Sequence, residues 1–361
     1  MDRSEIIKRL KEVRENYPDN IMAQTIDIGK MESLSDFEFD YISKIIRSGL
    51  DNPQSHVGAY AMTPSDYDDL GWLFDPILEK YHHVDSSFTQ RNFWEIDGKF
   101  DLKNIDSQFD KVSMRVRVAR SINGWPLPGS MSKEKRVEFE EEMQKVFEKL
   151  ISKYGGEIYS LTPGSKYEIS EEKYKELIGS HKMFKNMDND PYLNSAGISG
   201  DWPHGRGMWE SRDGNLIVWV NEEDHLRIIS MKKGSDLSEI FVALRDLLDT
   251  FESVNGIKFA YSQRFGVVTS CPSNIGTGMR ASIHIQLPNL VKDEPTMKQI
   301  AKSYGLSVRG LGGEHTAYGE DGTVDISPSA RLGVTEAQIL NNLFKGIAEM
   351  LKEESRTKAA V

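Results

Sequence analysis

Hydrophobic residues follow a helical spacing through the first hundred residues, and the spacing then changes to short β-rich runs. Leu10 and Val13 lie on one face of a first helix, and Ser35 with Glu38 forms a capping box before another. Gly49 is predicted to end that second helix, because glycine readily adopts the backbone conformation that closes a helix. The N-terminal part is therefore predicted to be a small helical domain.

From about residue 101, β-rich runs alternate with long amphipathic segments, a pattern typical of a domain built around a sheet. The polar residues 352–361 are predicted to fray. On this pattern alone, an α/β and an α+β arrangement are both open. Strands are predicted at 112–118, 215–220, 266–270 and 281–287, and helices at 133–154, 238–254 and 335–351.

Composition excludes several classes of protein. The net charge of −11 argues against nucleic-acid binding, which needs a basic surface. No apolar run approaches the roughly 20 residues that span a membrane, and the N-terminus lacks an apolar signal-peptide core, so we expect no membrane contact and a cytoplasmic location. The single cysteine, Cys271, excludes an intramolecular disulfide and a cysteine-based zinc site.

Residues 271–282 (CPSNIGTGMRAS) join two apolar runs through a turn rich in proline, asparagine and glycine. Rigid scaffolds often place reactive side chains on such turns. The alternative is an inert, buried Cys271 beside a tight turn, because unpaired cysteine is often part of a core.

Residues 221–227 (NEEDHLR) place three consecutive carboxylates at the end of an apolar strand. Buried together they would repel one another, so a cation must lie opposite them. The alternative is a solvated, acidic strand end. Glu223 is the central carboxylate of the three.

Residues 308–316 (VRGLGGEHT) combine three glycines with the carboxylate of Glu314. This composition is expected of a mobile lid that closes over a substrate, although a plain flexible surface loop is the alternative.

Arg115 and Arg117 alternate along a predicted strand, so both project from the same face. A salt-bridged, exposed strand face is the alternative interpretation. Together with Arg227, Arg280 and Arg309 they would form a local basic cluster in a chain that is acidic overall.

These segments occur in the order found in the phosphagen (guanidino) kinases, and the chain resembles that family over nearly its whole length. The resemblance implies an α+β fold: a helical guanidino-specificity domain at 1–95, then a catalytic domain at 96–361 with a central antiparallel β-sheet flanked by helices. It implies that Glu223 and Glu314 hold a guanidinium and that Cys271 tunes it electrostatically, without acting as a covalent nucleophile. The phosphates would be held by Arg115, Arg117, Arg227, Arg280 and Arg309.

The resemblance further implies MgATP and ADP as substrates, with His181 and His284 packing near the nucleotide. For either histidine, a purely structural role is an equal alternative. Glu222 and Asp224 are candidates for outer-sphere contacts to Mg²⁺, and no residue is predicted to ligate a metal directly. The adjacent His82 and His83 are predicted to be an exposed pair.

Residues 55–60 (SHVGAY) are similar to the loop that sets specificity in the arginine-specific members of the family. Ser55, Val57, Gly58 and Tyr60 would bind the substrate there, and Tyr81 also stands where those members have tyrosine. The resemblance therefore implies arginine as the guanidine substrate.

The family's pairing of an aspartate with an arginine across the two domains is absent. Gln54 replaces the aspartate, and residues 185–191 lack the arginine. This implies altered closure of the two domains and not a changed substrate.

Three other functions are open: phosphorylation of another guanidine such as taurocyamine or creatine, phosphorylation of arginine in proteins, and non-catalytic nucleotide or arginine binding. A monomer and a homodimer are both compatible with the sequence.

Overall fold

The N-terminal part of the chain is helical, as predicted. The structure is a computed structural model that describes residues 2–105, 112–310 and 317–359. The first helices are α1 Arg3–Asn16, α2 Ile21–Thr25, α3 Ile28–Ser33, α4 Asp36–Asp51, α5 Asp66–Asp69 and α6 Gly71–His82.

The remainder of the chain is built around one antiparallel sheet in the order β2-β3-β4-β5-β1-β8-β10-β9, and β6 pairs with β7 in a separate short hairpin. The strands are β1 Val112–Arg120, β2 Glu157–Ser160, β3 Gly207–Glu210, β4 Leu216–Val220, β5 Leu226–Gly234, β6 Tyr261–Ser262, β7 Gly266–Val267, β8 Met279–Gln286, β9 Leu306–Arg309 and β10 Thr323–Pro328. The helices are α7 Lys133–Tyr154, α8 Glu171–Gly179, α9 Pro191–Ser195, α10 Leu237–Glu252, α11 Glu294–Ser303 and α12 Glu336–Ala359, and short 3₁₀ helices span Leu102–Asn104, Pro128–Ser130, Pro272–Asn274 and Leu290–Asp293.

The α+β class and the antiparallel sheet are confirmed. Strands β1, β4 and β8 and helices α7, α10 and α12 coincide with predicted elements. The predicted strand at 266–270 is wrong in extent, because only Gly266 and Val267 pair with a neighbouring strand. Strands β2, β3, β5, β6, β9 and β10 were not predicted.

The two faces of the sheet differ in chemistry. One face carries apolar side chains such as Met114, Val116 and Val118, which pack in a core with residues of α7, α10 and α12. The other face carries arginines on β1 and β8 and, toward β3, apolar side chains such as Ile217 and Trp219 that pack in a smaller cluster. Burial of apolar area on both faces stabilises the domain at roughly 25 cal/mol per Å². The part of the second face that carries the arginines opens onto a cleft.

Gly49 does not end α4, which continues to Asp51 with Asn52 as its C-terminal cap. A Cβ atom at position 49 would lie 2.4 Å from the backbone oxygen of Gly58. The glycine therefore permits a close approach between α4 and the loop at 55–60 instead of closing the helix.

The prediction of a frayed tail is also wrong for residues 352–359, since α12 continues to Ala359, and residues 360 and 361 lie outside the described residues. Glu354 is buried and accepts hydrogen bonds from the backbone N–H groups of Asn289 and Leu290. A polar residue in the tail thus fastens the last turns of the helix to the domain.

A second core lies among the N-terminal helices and reaches into the rest of the chain, where it includes Val268, Cys271 and Ile275. We call it the N-terminal core. The domain boundary between residues 95 and 96 stays a prediction.

Candidate active site

Strand pairing brings the five predicted arginines to one face of the sheet. Arg117 lies directly opposite Arg280 on β8, and Ala119, two residues further along β1, lies opposite Arg227 on β5. Residues directly opposite each other in an antiparallel pair share a face, and so do residues two apart on one strand. Arg115, Arg117, Arg227 and Arg280 therefore share a face.

Arg309 joins this group through β10. Asp325 lies opposite His284 on β8 and opposite Arg309 on β9, so all three share the same face as Arg280. Arg280 pairs with Asp325 at 3.2 Å. We call Arg115, Arg117, Arg227, Arg280 and Arg309 the arginine cluster.

The central members of the cluster, Arg115 and Arg117, lie close to other cations. Burial and the nearby Arg227 lower the pKa of Arg115 to about 10, and the same two causes lower the pKa of Arg117 well below its usual value. Within the described residues, the buried Nε and Nη2 atoms of Arg115 have no hydrogen-bond partner. Several buried guanidinium groups on one face disfavour their own charge, so the cluster is suited to a polyanion such as a nucleotide phosphate chain.

A cleft of about 850 Å³ opens over this face and is lined in part by Arg115, Arg117 and Arg280. His181 and His284, both predicted near a nucleotide, also line it. His181 is exposed and has a φ of 58°, and His284 Nε2 lies 3.7 Å from an oxygen of Asp325. The structure thus brings both histidines to the same cleft as the arginine cluster.

The acidic residues lie on the turn between β4 and β5, and that turn is held at both ends. Asn221 adopts a φ of 53°, and its Nδ2 donates to the carbonyl of Gly205 at 2.8 Å. The Nδ1 atom of His225 accepts from the N–H of Ile122 at 2.9 Å, so its Nε2–H donates to the carbonyl of Pro126 at 2.8 Å. These hydrogen bonds from buried side chains hold both ends of the turn in place.

Glu222 and Glu223 lie against the arginine cluster. Arg227 donates from Nη1 to Glu222 at 2.8 Å and from Nη2 to Glu223 at 3.5 Å. Burial and the adjacent Asp224 raise the pKa of Glu223. A carboxylate with a raised pKa accepts a proton more readily, which suits a general base.

Asp224 connects this turn to the cysteine segment. It is 1% exposed and accepts a hydrogen bond from the N–H of Ser270 at 2.6 Å. Such burial does not favour its predicted outer-sphere contact to Mg²⁺. Asn274 Nδ2 also approaches Glu223 at 3.5 Å, so Glu223 and Cys271 are held beside each other.

Cys271 is buried, and its Sγ lies 3.0 Å from Ser273 Oγ. Burial and the charge of Glu223 raise the pKa of the thiol to about 12. The residues of the chain by themselves therefore favour the neutral thiol. An electrostatic role as a thiolate, as implied by the family resemblance, would require a cation bound between Cys271 and Glu223.

The predicted specificity loop lies against the same segment. The hydroxyl of Ser55 accepts from the N–H of Gly58 at 3.0 Å, and the N–H of Tyr60 donates to Ile45 in α4 at 2.9 Å. Ala61, the next residue, donates to the carbonyl of Ser270 at 2.8 Å. Burial, and then the charges at Cys271 and Glu223, raise the pKa of Tyr60. The loop is thus adjacent to the candidate catalytic residues.

Tyr81 and its neighbours also face this region. The ring of Tyr81 lies 5.4 Å from the ring of His56. His82 is not exposed as predicted: it is half-buried in the last turn of α6, and its Nε2 lies 2.8 Å from the carbonyl of Pro272. His83 is exposed, as predicted.

Sequence reasoning missed Arg331. Its carbonyl accepts hydrogen bonds from the N–H and the hydroxyl of Thr277, both at 3.0 Å. Burial and the charge of Arg280 lower the pKa of Arg331, whereas Tyr81 and Glu223 act to raise it. No motif surrounds this arginine in the sequence, so only the fold brings it to the site.

Glu314, Gly312 and the rest of the predicted lid at 311–316 lie outside the described residues. Across the described ranges, no group of three or more His, Cys, Asp or Glu residues could hold a metal ion. In the same ranges, no helix is long and apolar enough to cross a membrane.

Residues 138–357 match the family described as ATP:guanido phosphotransferase, C-terminal catalytic domain. The arginine kinase of Limulus polyphemus is 40% identical over 313 residues, which cover 86% of this chain and 84% of that protein. The arginine kinase of Artemia franciscana is 38% identical over 86% of this chain and 85% of its own length.

Two solved structures share the fold over nearly the whole chain. Lombricine kinase matches with a TM-score of 0.80 and 29% identity over 96% of this chain and 95% of its own. The duplicated taurocyamine kinase of Schistosoma mansoni matches with a TM-score of 0.80 and 29% identity over 98% of this chain, which spans 49% of that protein. The chain therefore belongs to the ATP:guanido phosphotransferase family, the phosphagen kinases.

Proposed function

We propose that this protein reversibly transfers the γ-phosphoryl group of MgATP to the guanidinium of free L-arginine, giving phosphoarginine and ADP. The observation that carries the proposal is the contact between Arg227 and both Glu222 and Glu223. It joins the arginine cluster, which suits a triphosphate, to the carboxylate and thiol that suit a guanidinium.

The arginine cluster acts on the phosphoryl group. Phosphoryl transfer passes through a loose transition state whose charge is spread over equatorial oxygens, so alignment and electrostatic stabilisation dominate catalysis. Arginine side chains suit this task because each presents parallel donors and stays charged.

Glu223 acts on the acceptor. A guanidinium is a poor nucleophile because its pKa exceeds about 12. Glu223 would hold it by paired hydrogen bonds, aim one nitrogen at the γ-phosphorus and accept its proton, and its raised pKa supports that role. Cys271 would stabilise the same cation electrostatically. Glu314 as the second carboxylate stays a prediction.

Magnesium enters as part of the substrate MgATP. Both oxygens of Glu222 are already used, one by Arg227 and one by the N–H of Glu223. Glu222 is therefore not proposed as a direct ligand, and the Mg²⁺ ion would be held by phosphates and water. It would neutralise part of the charge on the phosphate oxygens.

Arginine is proposed as the acceptor because Tyr60 lies beside Cys271 and Tyr81 beside the specificity loop. The relatives named arginine kinase support the same choice. The solved relatives named taurocyamine kinase and lombricine kinase make another guanidine the second candidate. A cytoplasmic location and a monomeric or homodimeric state stay predictions from the sequence.

The test is ADP production from MgATP by the purified protein with arginine, creatine, taurocyamine, glycocyamine, lombricine or an arginine-rich protein as acceptor. We expect the rate of ADP production to be well above that of every other acceptor when arginine is the acceptor. Turnover with a different small guanidine would overturn the choice of arginine as acceptor. Turnover with only the arginine-rich protein as acceptor would make this a protein-arginine kinase. If no acceptor supported ADP production, the proposed catalytic activity would be contradicted.

A further inference from the structure

A polar contact joins the end of α4 to α9, across more than 130 residues of sequence. Asn52 Nδ2 donates to the carbonyl of Pro191 at 3.1 Å and to Ser195 Oγ at 2.7 Å. Ser48 adds a hydrogen bond from its hydroxyl to the carbonyl of Tyr192 at 3.1 Å. We call these three hydrogen bonds the α4–α9 tie.

The tie begins where the specificity loop begins. The carbonyl of Asn52 accepts from the N–H of Ser55 at 2.9 Å, and Ser55 Oγ in turn accepts from the N–H of Gly58. Asn52 Nδ2 also donates to the carbonyl of Ser48 at 3.1 Å, which fixes its side chain on the end of α4. Asn52 therefore contacts both α9 and the loop proposed to bind arginine.

On its other side, α9 packs against an apolar cluster that contacts the arginine cluster. Leu193 packs against the N-terminal core and also against a second apolar cluster that includes Phe184 and Trp219. The Trp219 ring lies 5.6 Å from the guanidinium carbon of Arg115 and 5.8 Å from that of Arg227. Packed contacts thus run from α9 to two members of the arginine cluster.

The contact between α4 and α9 includes the hydrogen bonds of the α4–α9 tie. A cleft of about 790 Å³ lies beside it, lined by Arg47 and Asp51 on the α4 side and by Asn194 on the α9 side. Because side chains do not fill that space, a change at Asn52 should alter how α4 and α9 move together without removing a packed core.

We propose that Asn52 is a positioning residue that couples binding of the guanidine substrate to binding of the nucleotide. This inference rests on the proposed function, since it requires both substrates. Coupling is reciprocal, so whatever free energy arginine adds to nucleotide binding, the nucleotide adds to arginine binding.

The decisive variant is Asn52→Asp. The carboxylate has almost the same size but cannot donate, and it would face the carbonyl oxygens of Ser48 and Pro191. Isothermal titration with MgADP, alone and with saturating L-arginine, measures the coupling as the ratio of the two dissociation constants. MgADP and arginine do not react with each other, so binding is measured without turnover.

Asn16→Asp is the matched control. Asn16 also ends a helix and also donates to the carbonyl four residues earlier, at 2.8 Å, but it makes no contact with α9. Ser195→Ala is a second variant that removes one acceptor of the tie and leaves Asn52 in place.

We expect the wild-type protein and Asn16→Asp to show a coupling of about fivefold or more, the lower end of common values. Asn52→Asp should reduce the ratio of the two dissociation constants to below about twofold, while the affinity for MgADP alone stays unchanged. It should also raise the KM for arginine more than it lowers kcat. The ratio for Ser195→Ala should lie between those of the wild type and Asn52→Asp. If Asn52→Asp kept the coupling of the wild type, or if the wild type showed no coupling, the inference about Asn52 would be overturned and the proposed function would be unaffected. A wild-type protein that fails to bind arginine would instead contradict the proposed function.

Discussion

The two faces of strand β1 are made by alternating residues of one segment, yet they serve opposite purposes. Met114, Val116 and Val118 are at most 1% exposed and pack in the main core. Arg115 and Arg117, between them, face the cleft and repel one another and Arg227. One face stabilises the fold, and the other accepts a cost in stability to bind a polyanion, as expected of a preorganised functional site.

The largest effect on activity is expected beyond the end of the arginine face, at Glu223. Glu223→Gln keeps the size of the side chain but removes the base, so turnover should fall by about 10²–10⁴-fold. The affinity for MgADP should change little. Steady-state kinetics together with MgADP titration checks both expectations, and near wild-type turnover would remove Glu223 from the mechanism.

Arg117→Leu replaces one of the two arginines on the cleft face of β1 by an apolar side chain, so that the two faces of the strand become more alike. We expect turnover to fall by roughly 10³-fold, since charge stabilisation by one arginine in phosphoryl transfer is of this order. We also expect the free energy of unfolding to rise by about 1 kcal/mol or more, because apolar replacements of buried charges are often stabilising. Urea unfolding and kinetics on the same preparation test this, and a less stable variant would contradict the proposed cost of the cluster.

Val116→Ala, one residue away on the apolar face, should show the reverse pattern. The loss of two buried methyl groups and the cavity left behind should cost about 1–3 kcal/mol of stability. Turnover well below the melting temperature should stay within about twofold of wild type if the two faces act independently. A large loss of activity in the folded variant would show that the arginine face depends on packing beneath it.

The smallest effect concerns His82 and His83, a half-buried and an exposed neighbour. Burial lowers the pKa of His82 to about 4, so the unfolded chain binds a proton there that the folded chain does not. Stability from this residue is complete above the unfolded pKa of about 6.5 and is lost as the pH falls from there toward 4.

At pH 5.5 this loss is about 1 kcal/mol for wild type relative to pH 7.5. His82→Gln, whose amide can still donate to Pro272, should lack that part of the pH dependence, whereas His83→Gln should behave as wild type. Urea unfolding at the two pH values measures the difference. Equal pH dependence in wild type and His82→Gln would contradict a neutral, buried His82.

Local pattern predicted much of the site. Period-two alternation put Arg115 and Arg117 on one face, and the strings around Glu223 and Cys271 identified the two segments that the fold brings together. Strands β5, β9 and β10 escaped prediction. One face of β5 carries Arg227 and its end carries two lysines, so the apolar signal that marks a strand is weak there.

By itself, the sequence determined the fold class and the family of this protein. It also determined the residue types that can hold phosphates and a guanidinium. Tertiary structure alone decided that Arg280 lies opposite Arg117, that Gly49 lies inside a helix against Gly58, and that Asn52 reaches α9. The physical reason is that side-chain direction follows from local backbone geometry, whereas strand order and helix contacts depend on segments far apart in sequence.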